Sequence, residues 1–194
     1  MSFLSQTRLL LRVTQTHDIA RRYFVVNGFD GALTMMGLII GFLVSAPVDL
    51  SLVLNACMGA AIALGMSGVS SAYVSESAER QYALGKLEEA MSTDLQESVH
   101  GEAARWMPLL IALVNGSAPL IISLLILTPL WLSNAGVSLP VSPLYAAIMI
   151  ALLLTFMLGV FLGRIAGVSL LRSGIQTLLV AVLTAALIYL FAGD

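Results

Sequence analysis

The chain has few charged residues and only one cysteine. Asp, Glu, Lys and Arg make up 10% of its 194 residues, against about 25% in a typical soluble domain, and 59% of residues are hydrophobic. So few charges cannot cover the surface of a water-soluble enzyme, and the single Cys57 excludes a disulfide scaffold. A net charge of −2 without a basic block argues against nucleic-acid binding. The composition indicates an integral membrane protein, surrounded by a lipid bilayer.

Five apolar stretches are long enough to cross a bilayer as helices, which takes about 20 residues each. The strict alternation that is typical of a membrane β-barrel is absent. We therefore predict an all-α integral membrane protein with five transmembrane helices, at 23–46, 50–74, 106–132, 142–163 and 173–192. Helices 1 and 2 form a region over 23–74, and helices 3 to 5 form a region over 106–192.

The positions of Lys and Arg predict the orientation of these helices. Four of the nine precede the first span, three lie between spans two and three, and two lie between spans four and five. All nine would then lie on the same side of the membrane, which the positive-inside rule makes cytoplasmic. The N-terminus is predicted inside and the C-terminus outside.

Two segments lie outside the predicted spans. Residues 1–22 alternate apolar and polar side chains, which fits either an amphipathic helix on the inner leaflet or a frayed terminus. Residues 75–105 carry seven of the eleven acidic residues and three basic ones. We expect this acidic cytoplasmic segment to form two short helices, each attached to a span, with a new helix starting at Ser92, Thr93 and Asp94.

Asp30 is the sharpest candidate for function. It stands eight residues after Arg22, about 12 Å into the first span at 1.5 Å per residue. An ionisable residue at the centre of a span costs about 2.5–3.5 kcal/mol on insertion scales, so it usually faces a bundle interior or a wet pathway. The alternative is that Asp30 caps a helix that starts after Gly28, near the membrane interface.

Three methionines extend this candidate site to a transport pathway. Met35 and Met36 follow Asp30 by about one and a half turns, and Met66 lies in the small-residue half of the second span. A carboxylate with thioether sulfurs suits a first-row divalent cation better than Mg²⁺ or Ca²⁺. Packing of the methionines in a core is the alternative.

The acidic cytoplasmic segment adds four candidate metal ligands to Asp30. Glu76 and Glu79 are spaced to share a helix face, and Glu97 and His100 form Glu-x-x-His. Di-metal carboxylate bundles use the latter pair on a helix. A solvated acidic face, with Glu76 paired to Arg80, is the alternative.

Small residues mark predicted helix contacts, and familiar catalytic motifs are absent. G-x-x-x-G spacings allow close helix packing at Gly37, Gly41, Gly159, Gly163 and Gly167. The chain has no nucleophile elbow, P-loop or H-E-x-x-H. We therefore expect no enzymatic activity and no required cofactor.

Several stretches resemble the vacuolar iron transporter family, which includes yeast and plant vacuolar iron and manganese importers and many prokaryotic relatives. The resemblance covers most of residues 23–192. It rests on Asn-Gly-Phe-Asp-Gly at 27–31, Tyr-Val-Ser-Glu at 73–76, Glu79–Arg80, Gly116, Pro119, Gly163–Arg164 with Gly167, and Leu171–Arg172 with Gly174.

The resemblance implies a homodimeric antiporter that exports Fe²⁺ or Mn²⁺ from the cytoplasm in exchange for protons. Co²⁺ and Zn²⁺ are further candidate ions. It places Asp30 in the pathway at the dimer interface, and Glu76 and Glu79 in a cytoplasmic region that collects metal. The host membrane would be the cell membrane of a prokaryote or the vacuolar membrane of a eukaryote.

One departure from the family keeps other hypotheses open. Plant-type members carry Gly-Glu before Tyr-Val-Ser, whereas this chain has Ser71-Ala72 and therefore lacks an intramembrane glutamate. One alternative is a transporter of the same fold for another solute. The other is a non-transporting membrane protein that binds metal or a partner through the acidic segment.

Overall fold

The computed structural model describes residues 16–45 and 49–192, and these residues form five α-helices and no strand. All five helices are long and apolar enough to cross a membrane, which confirms the predicted number of spans. Most of the predicted N-terminal amphipathic segment, residues 1–15, lies outside the described residues. The helices are α1 (Thr16–Val44), α2 (Leu50–Met91), α3 (Val99–Asn134), α4 (Pro143–Ala166) and α5 (Leu170–Ala192).

Helix α1 begins seven residues before the predicted span and runs for 29 residues. Asp30 stands fourteen residues after its first residue, Thr16, and fourteen before its last, Val44. A capping residue must stand at a helix end, where backbone N–H groups lack partners. The alternative that Asp30 caps a helix starting after Gly28 is therefore wrong, and Asp30 lies at the helix centre.

Helix α2 is a single helix of 42 residues. At 1.5 Å per residue it is about 63 Å long, roughly twice the thickness of the hydrocarbon core of a bilayer. It joins the second span to the first predicted helix of the acidic segment without a break, as the sequence predicts. Its polar C-terminal part therefore extends beyond the membrane.

A turn, rather than a new helix, follows α2. Ser92 has a left-handed backbone conformation with φ of 49°, and the Asp94 carboxylate accepts a 2.9 Å hydrogen bond from the Gln96 backbone N–H. The Ser98 hydroxyl accepts hydrogen bonds from the backbone N–H groups of His100 and Gly101, so Ser98 caps α3. The predicted helix start at residues 92–94 is wrong, because these residues form local turn contacts instead.

The described residues divide into two compact units. The first unit contains residues 16–24 and 65–117, and the second contains residues 25–64 and 118–192. In the first unit, α2 and α3 approach closely at small residues. A Cβ on Gly116 would lie well inside contact distance of the Val69 side chain and the Gly65 carbonyl. Only glycine therefore permits this helix separation.

In the second unit, α1 packs against α3 through its buried face. A Cβ on Gly31 would lie 2.8 Å from the backbone of Pro119. Met35, Met36 and Ile39 on α1 are fully buried. Because these side chains lie on the opposite side of the helix from Asp30, α1 has a packed face and a separate polar face.

Two of the predicted packing glycines lie where α4 meets α5. The three-residue connection Gly167–Ser169 makes these helices antiparallel neighbours. A Cβ on Gly159 would overlap the Thr177 side chain, and one on Gly163 would lie 2.8 Å from the Ser173 Cβ. Both glycines therefore allow the two helices to pack closely.

The other three predicted packing glycines differ from one another. A Cβ on Gly37 would lie 3.2 Å from the Ile188 side chain, which is a close contact with α5. Gly41 has open space where its Cβ would lie. Gly167 has a φ of 67° and ends α4 as a left-handed C-cap. Gly167 therefore ends a helix rather than packing against one, and the packing role of Gly41 stays a prediction.

Candidate functional site

Asp30 is exposed at the centre of α1. Helix geometry places Asn27 and Thr34 on the same face, three residues before and four after it. No hydrogen bond or ion pair joins Asp30 to another residue within 16–45 and 49–192. A carboxylate at this depth is costly against lipid, and such a residue usually faces a bundle interior or a wet pathway.

The methionine sulfurs and the Asp30 carboxylate do not share a surface. Met35 and Met36 are both fully buried, whereas Asp30 is exposed. Five or six residues correspond to a rotation of about 120–140° around a helix, which directs these side chains away from Asp30. Their burial fits the packing alternative. Met66 on α2 is 62% exposed and belongs to the first unit, whereas Asp30 belongs to the second.

Glu76 is buried in the C-terminal half of the long helix α2, within the first unit. Its Oε2 lies 3.4 Å from the Nε of Arg80, one turn further on, although that contact lacks hydrogen-bond alignment. Its Oε1 accepts a long hydrogen bond of 3.5 Å from the Tyr23 hydroxyl. Glu76 therefore links α1 to α2 and is paired with Arg80, as the structural alternative predicts.

The remaining candidate ligands are exposed and lie on different structural elements. Glu79 is an exposed residue of α2. Glu97 lies in the turn before α3, and His100 lies in the first turn of α3. The prediction that Glu-x-x-His lies on one helix is wrong, because α3 begins only at Val99.

His100 shares a pocket with a cationic side chain. It lines a pocket of 140 Å³ between α2 and α3 together with Arg80, and no carboxylate lines that pocket. Apart from His100, no side chain that lines this pocket is a typical metal ligand. His100 is therefore poorly placed to serve as a metal ligand in this arrangement.

The candidate ligands do not converge on one metal centre. Across residues 16–45 and 49–192, no group of three or more His, Cys, Asp and Glu side chains is arranged to hold a metal ion. A resident ion with a complete set of protein ligands therefore has no site in this part of a single chain. The arrangement leaves single carboxylates, of which Asp30 is the one at the centre of a span.

Sequence reasoning missed the role of Asn115 on α3. Its side chain is buried, and Nδ2 donates a 2.7 Å hydrogen bond to the backbone carbonyl of Gly68 on α2. The signal was a lone amide in an otherwise apolar span, followed directly by Gly116. In a membrane, such a polar residue usually bonds across a helix interface.

The fold defines a multi-pass α-helical membrane protein with five helices able to cross the bilayer. No family model matches the chain. The chain is similar to an uncharacterized protein of Methanocaldococcus jannaschii, with 29% identity over 172 residues. The similar region is 87% of this chain and 86% of that protein, so the similarity is not restricted to one or two helices.

Proposed function

We propose that the protein is a membrane transporter that exports a divalent transition-metal cation, Fe²⁺ or Mn²⁺, in exchange for protons. The observation that carries this proposal is the exposed carboxylate of Asp30 at the centre of a 29-residue membrane helix. Acidic residues inside membrane spans are rare and typically line ion pathways or proton relays. A carboxylate can bind either a metal cation or a proton, so one side chain can exchange the two.

The polar face of α1 supports the proposal. Asn27, Asp30 and Thr34 supply oxygen or nitrogen atoms along this face, and Gly41 leaves open space further along it. The family resemblance implies a homodimer with this aspartate at the interface. Two facing copies would give a passing ion two carboxylates, together with neighbouring neutral oxygens, and would shield them from lipid.

The acidic segment would attract cations to the cytoplasmic entrance. Residues 75–105 have a net charge of −4, and acids such as Glu79, Glu89, Glu97 and Glu102 are exposed. Exposed charges of one sign raise the local concentration of counter-ions without a fixed binding site. This role needs no cluster of ligands. It does not include Glu76, whose carboxylate is held by Arg80 and Tyr23.

A flux assay tests the proposal directly. The full-length protein is reconstituted in proteoliposomes with a pH gradient, and transport of Fe²⁺, Mn²⁺, Co²⁺ and Zn²⁺ is measured. We expect Asp30→Asn to abolish metal flux while the melting temperature and the dimer fraction stay unchanged. Asp49→Asn is the control for flux, assayed well below its melting temperature, because Asp49 is exposed just before α2 and outside the proposed pathway. Full flux in the Asp30→Asn protein would disprove the role of Asp30.

A second candidate is a proton-coupled transporter of the same fold for another solute. The lack of a three-ligand cluster in the described part of the chain favours it, because a non-metal solute needs no such cluster. The same proteoliposomes distinguish the two. Proton movement that depends on Asp30, without flux of any of the four metal ions, would support this second candidate over metal export.

A further inference from the structure

We propose that an open cleft between α2 and α3 binds the phosphate of a membrane phospholipid. The cleft lies within the first unit and has a volume of 480 Å³. None of the site residues predicted from the sequence lines this cleft. The inference does not depend on the transport proposal. The lining residues that carry the argument are Tyr73, Ser77, Gln81, Gln96, Ala104 and Arg105.

The charge of the cleft is opposite to that of its surroundings. Residues 75–105 contain seven acidic and three basic residues, yet no acidic residue lines the cleft, and Arg105 is its one charged lining residue. Within the ranges 16–45 and 49–192, Arg105 forms no hydrogen bond or ion pair. An arginine without a carboxylate partner, set in a concave polar surface, is suited to bind a phosphate group.

Neutral polar groups surround the guanidinium. Ser77 and Gln81 come from α2, and Gln96 comes from the turn before α3. The Gln96 side chain also donates a hydrogen bond of 3.4 Å to Glu88, whose same oxygen accepts a 3.0 Å bond from the Leu95 backbone N–H. Glu88 is thus engaged in the turn, and the hydroxyl and amide groups of the cleft can donate hydrogen bonds to phosphate oxygens.

The cleft is located where the helices change from polar to apolar. On α3 this change follows Arg105 at Trp106, and on α2 the last apolar residues before the acidic segment are Tyr73 and Val74. Tyr73 is 46% exposed and Trp106 is 61% exposed. Exposed Tyr and Trp are enriched at the interface between membrane and water. The cleft is therefore at the level of lipid headgroups.

A neighbouring surface continues the cleft toward the apolar span. It shares Tyr73 and Arg105 with the cleft and extends over Trp106 and Leu109. A polar cavity that leads onto an apolar helix surface matches a molecule with a charged head and a hydrocarbon chain. A free phosphate compound would use only the polar part. This continuity favours a phospholipid as the occupant.

Native mass spectrometry of the purified full-length protein tests this proposal. The protein in detergent is titrated with phosphatidylglycerol, and the apparent affinity for the first bound lipid is measured. We expect Arg105→Gln to weaken this affinity about tenfold, the loss typical of removing one charge-assisted hydrogen-bonding group. Lys86→Gln is the matched control, because it removes one positive charge from the same segment and Lys86 does not line the cleft.

A second variant separates shape from charge. Ala104→Leu retains the arginine but fills part of the cleft, and we expect it to weaken lipid binding as well. Equal losses in the Arg105→Gln and Lys86→Gln proteins would overturn the proposal in favour of general electrostatic attraction. An unchanged affinity in the Ala104→Leu protein would also overturn it, provided that circular dichroism shows the variant folded.

A competition experiment distinguishes the two sources of phosphate. Inorganic phosphate and glycerol 3-phosphate are added at millimolar concentration to the lipid-bound protein. We expect the lipid to remain bound, because its chain contacts the surface around Trp106 and Leu109. Complete displacement by either small anion would show a site for a soluble phosphate compound and would contradict the lipid assignment.

Discussion

Asn115 on α3 donates a 2.7 Å hydrogen bond from its side-chain amide to the backbone carbonyl of Gly68 on α2. The bond is buried, and it lies beside the close approach of Gly116 to α2. A Cβ on Gly68 would lie 3.0 Å from the Gly116 Cα, so both glycines are needed for the helices to come close enough. A polar bond and two small residues therefore act together at one helix crossing.

Removing the Asn115 amide should destabilise this crossing. We expect Asn115→Ala to lower the free energy of unfolding by about 1 kcal/mol, in the range found for hydrogen bonds between membrane helices. Thermal unfolding in detergent, followed by circular dichroism, measures the change. Asn55→Ala provides the control, since Asn55 is an exposed amide in the membrane part of α2. An equal loss of stability in the two variants would contradict the importance of the buried bond.

The same crossing predicts a contrast between two glycine substitutions. Gly116→Ala places a Cβ against Val69 and the Gly65 carbonyl, and overpacking of this kind costs typically about 1–3 kcal/mol. Gly59→Ala on α2 places a Cβ in open space, and alanine favours a helix by about 1 kcal/mol over glycine. We expect a lower melting temperature for the first variant and an unchanged or higher one for the second. Similar melting temperatures would show that α2 and α3 are further apart.

Glu76 and Glu79 form a matched pair of carboxylates on one helix. Glu76→Gln should lower the free energy of unfolding by about 1–3 kcal/mol, because it weakens the contacts to Arg80 and Tyr23. Glu79→Gln should leave stability unchanged, since Glu79 is exposed, and should slightly weaken the overall association of Mn²⁺ with the acidic segment, because one of its exposed charges is lost. Unfolding curves and isothermal titration calorimetry measure the two effects. Weaker Mn²⁺ binding in the Glu76→Gln protein alone would indicate that Glu76 is the metal ligand.

The number of spans and the continuity of α2 could be predicted from the sequence. Both depend on long runs of apolar residues and on helix-forming residues after Ser75, which are local properties of the chain. The start of α1 at Thr16 was not specified, because the sequence left open whether residues 1–22 form an amphipathic helix or a frayed terminus, and the predicted span began only at Tyr23. The start of α3 was placed too early, since several residues between Ser92 and Ser98 can cap a helix.

The candidate site was harder to predict than the fold. The residue types of Glu76 and His100 suggested metal binding, but their neighbours are set by contacts between distant parts of the chain. Tyr23 reaches Glu76 across 53 residues, and Arg80 and His100 line one pocket from two helices. Such pairings follow from how helices pack, which single-sequence spacing does not reveal. The central position of Asp30 in a long apolar helix was more accessible to prediction, because it depends on one helix only.

The hydrogen bonds of the Asp49 carboxylate predict that the protein loses some stability in acid. It stands directly before α2, where its carboxylate accepts hydrogen bonds from the Ser51 hydroxyl at 2.9 Å and the Ser51 backbone N–H at 3.2 Å. These bonds, the hydroxyl bond above all, hold the pKa of Asp49 below its ordinary value of 3.8. The depressed pKa belongs to the folded protein, so the ionised carboxylate stabilises it at pH values above the unfolded pKa.

This contribution should disappear as the pH falls through the lowered pKa of the folded protein, because the carboxyl group is then protonated in both states. Asp49→Asn keeps a capping side chain but cannot ionise. We therefore expect the melting temperature of the unmodified protein to exceed that of the Asp49→Asn protein at pH 6, and the difference to shrink in strong acid. Ser51→Ala should make this pH-dependent difference smaller and complete its loss at a higher pH, because it removes the largest cause of the lowered pKa. A difference that stays constant across the acidic range would mean that the ionised carboxylate does not contribute to the cap of α2.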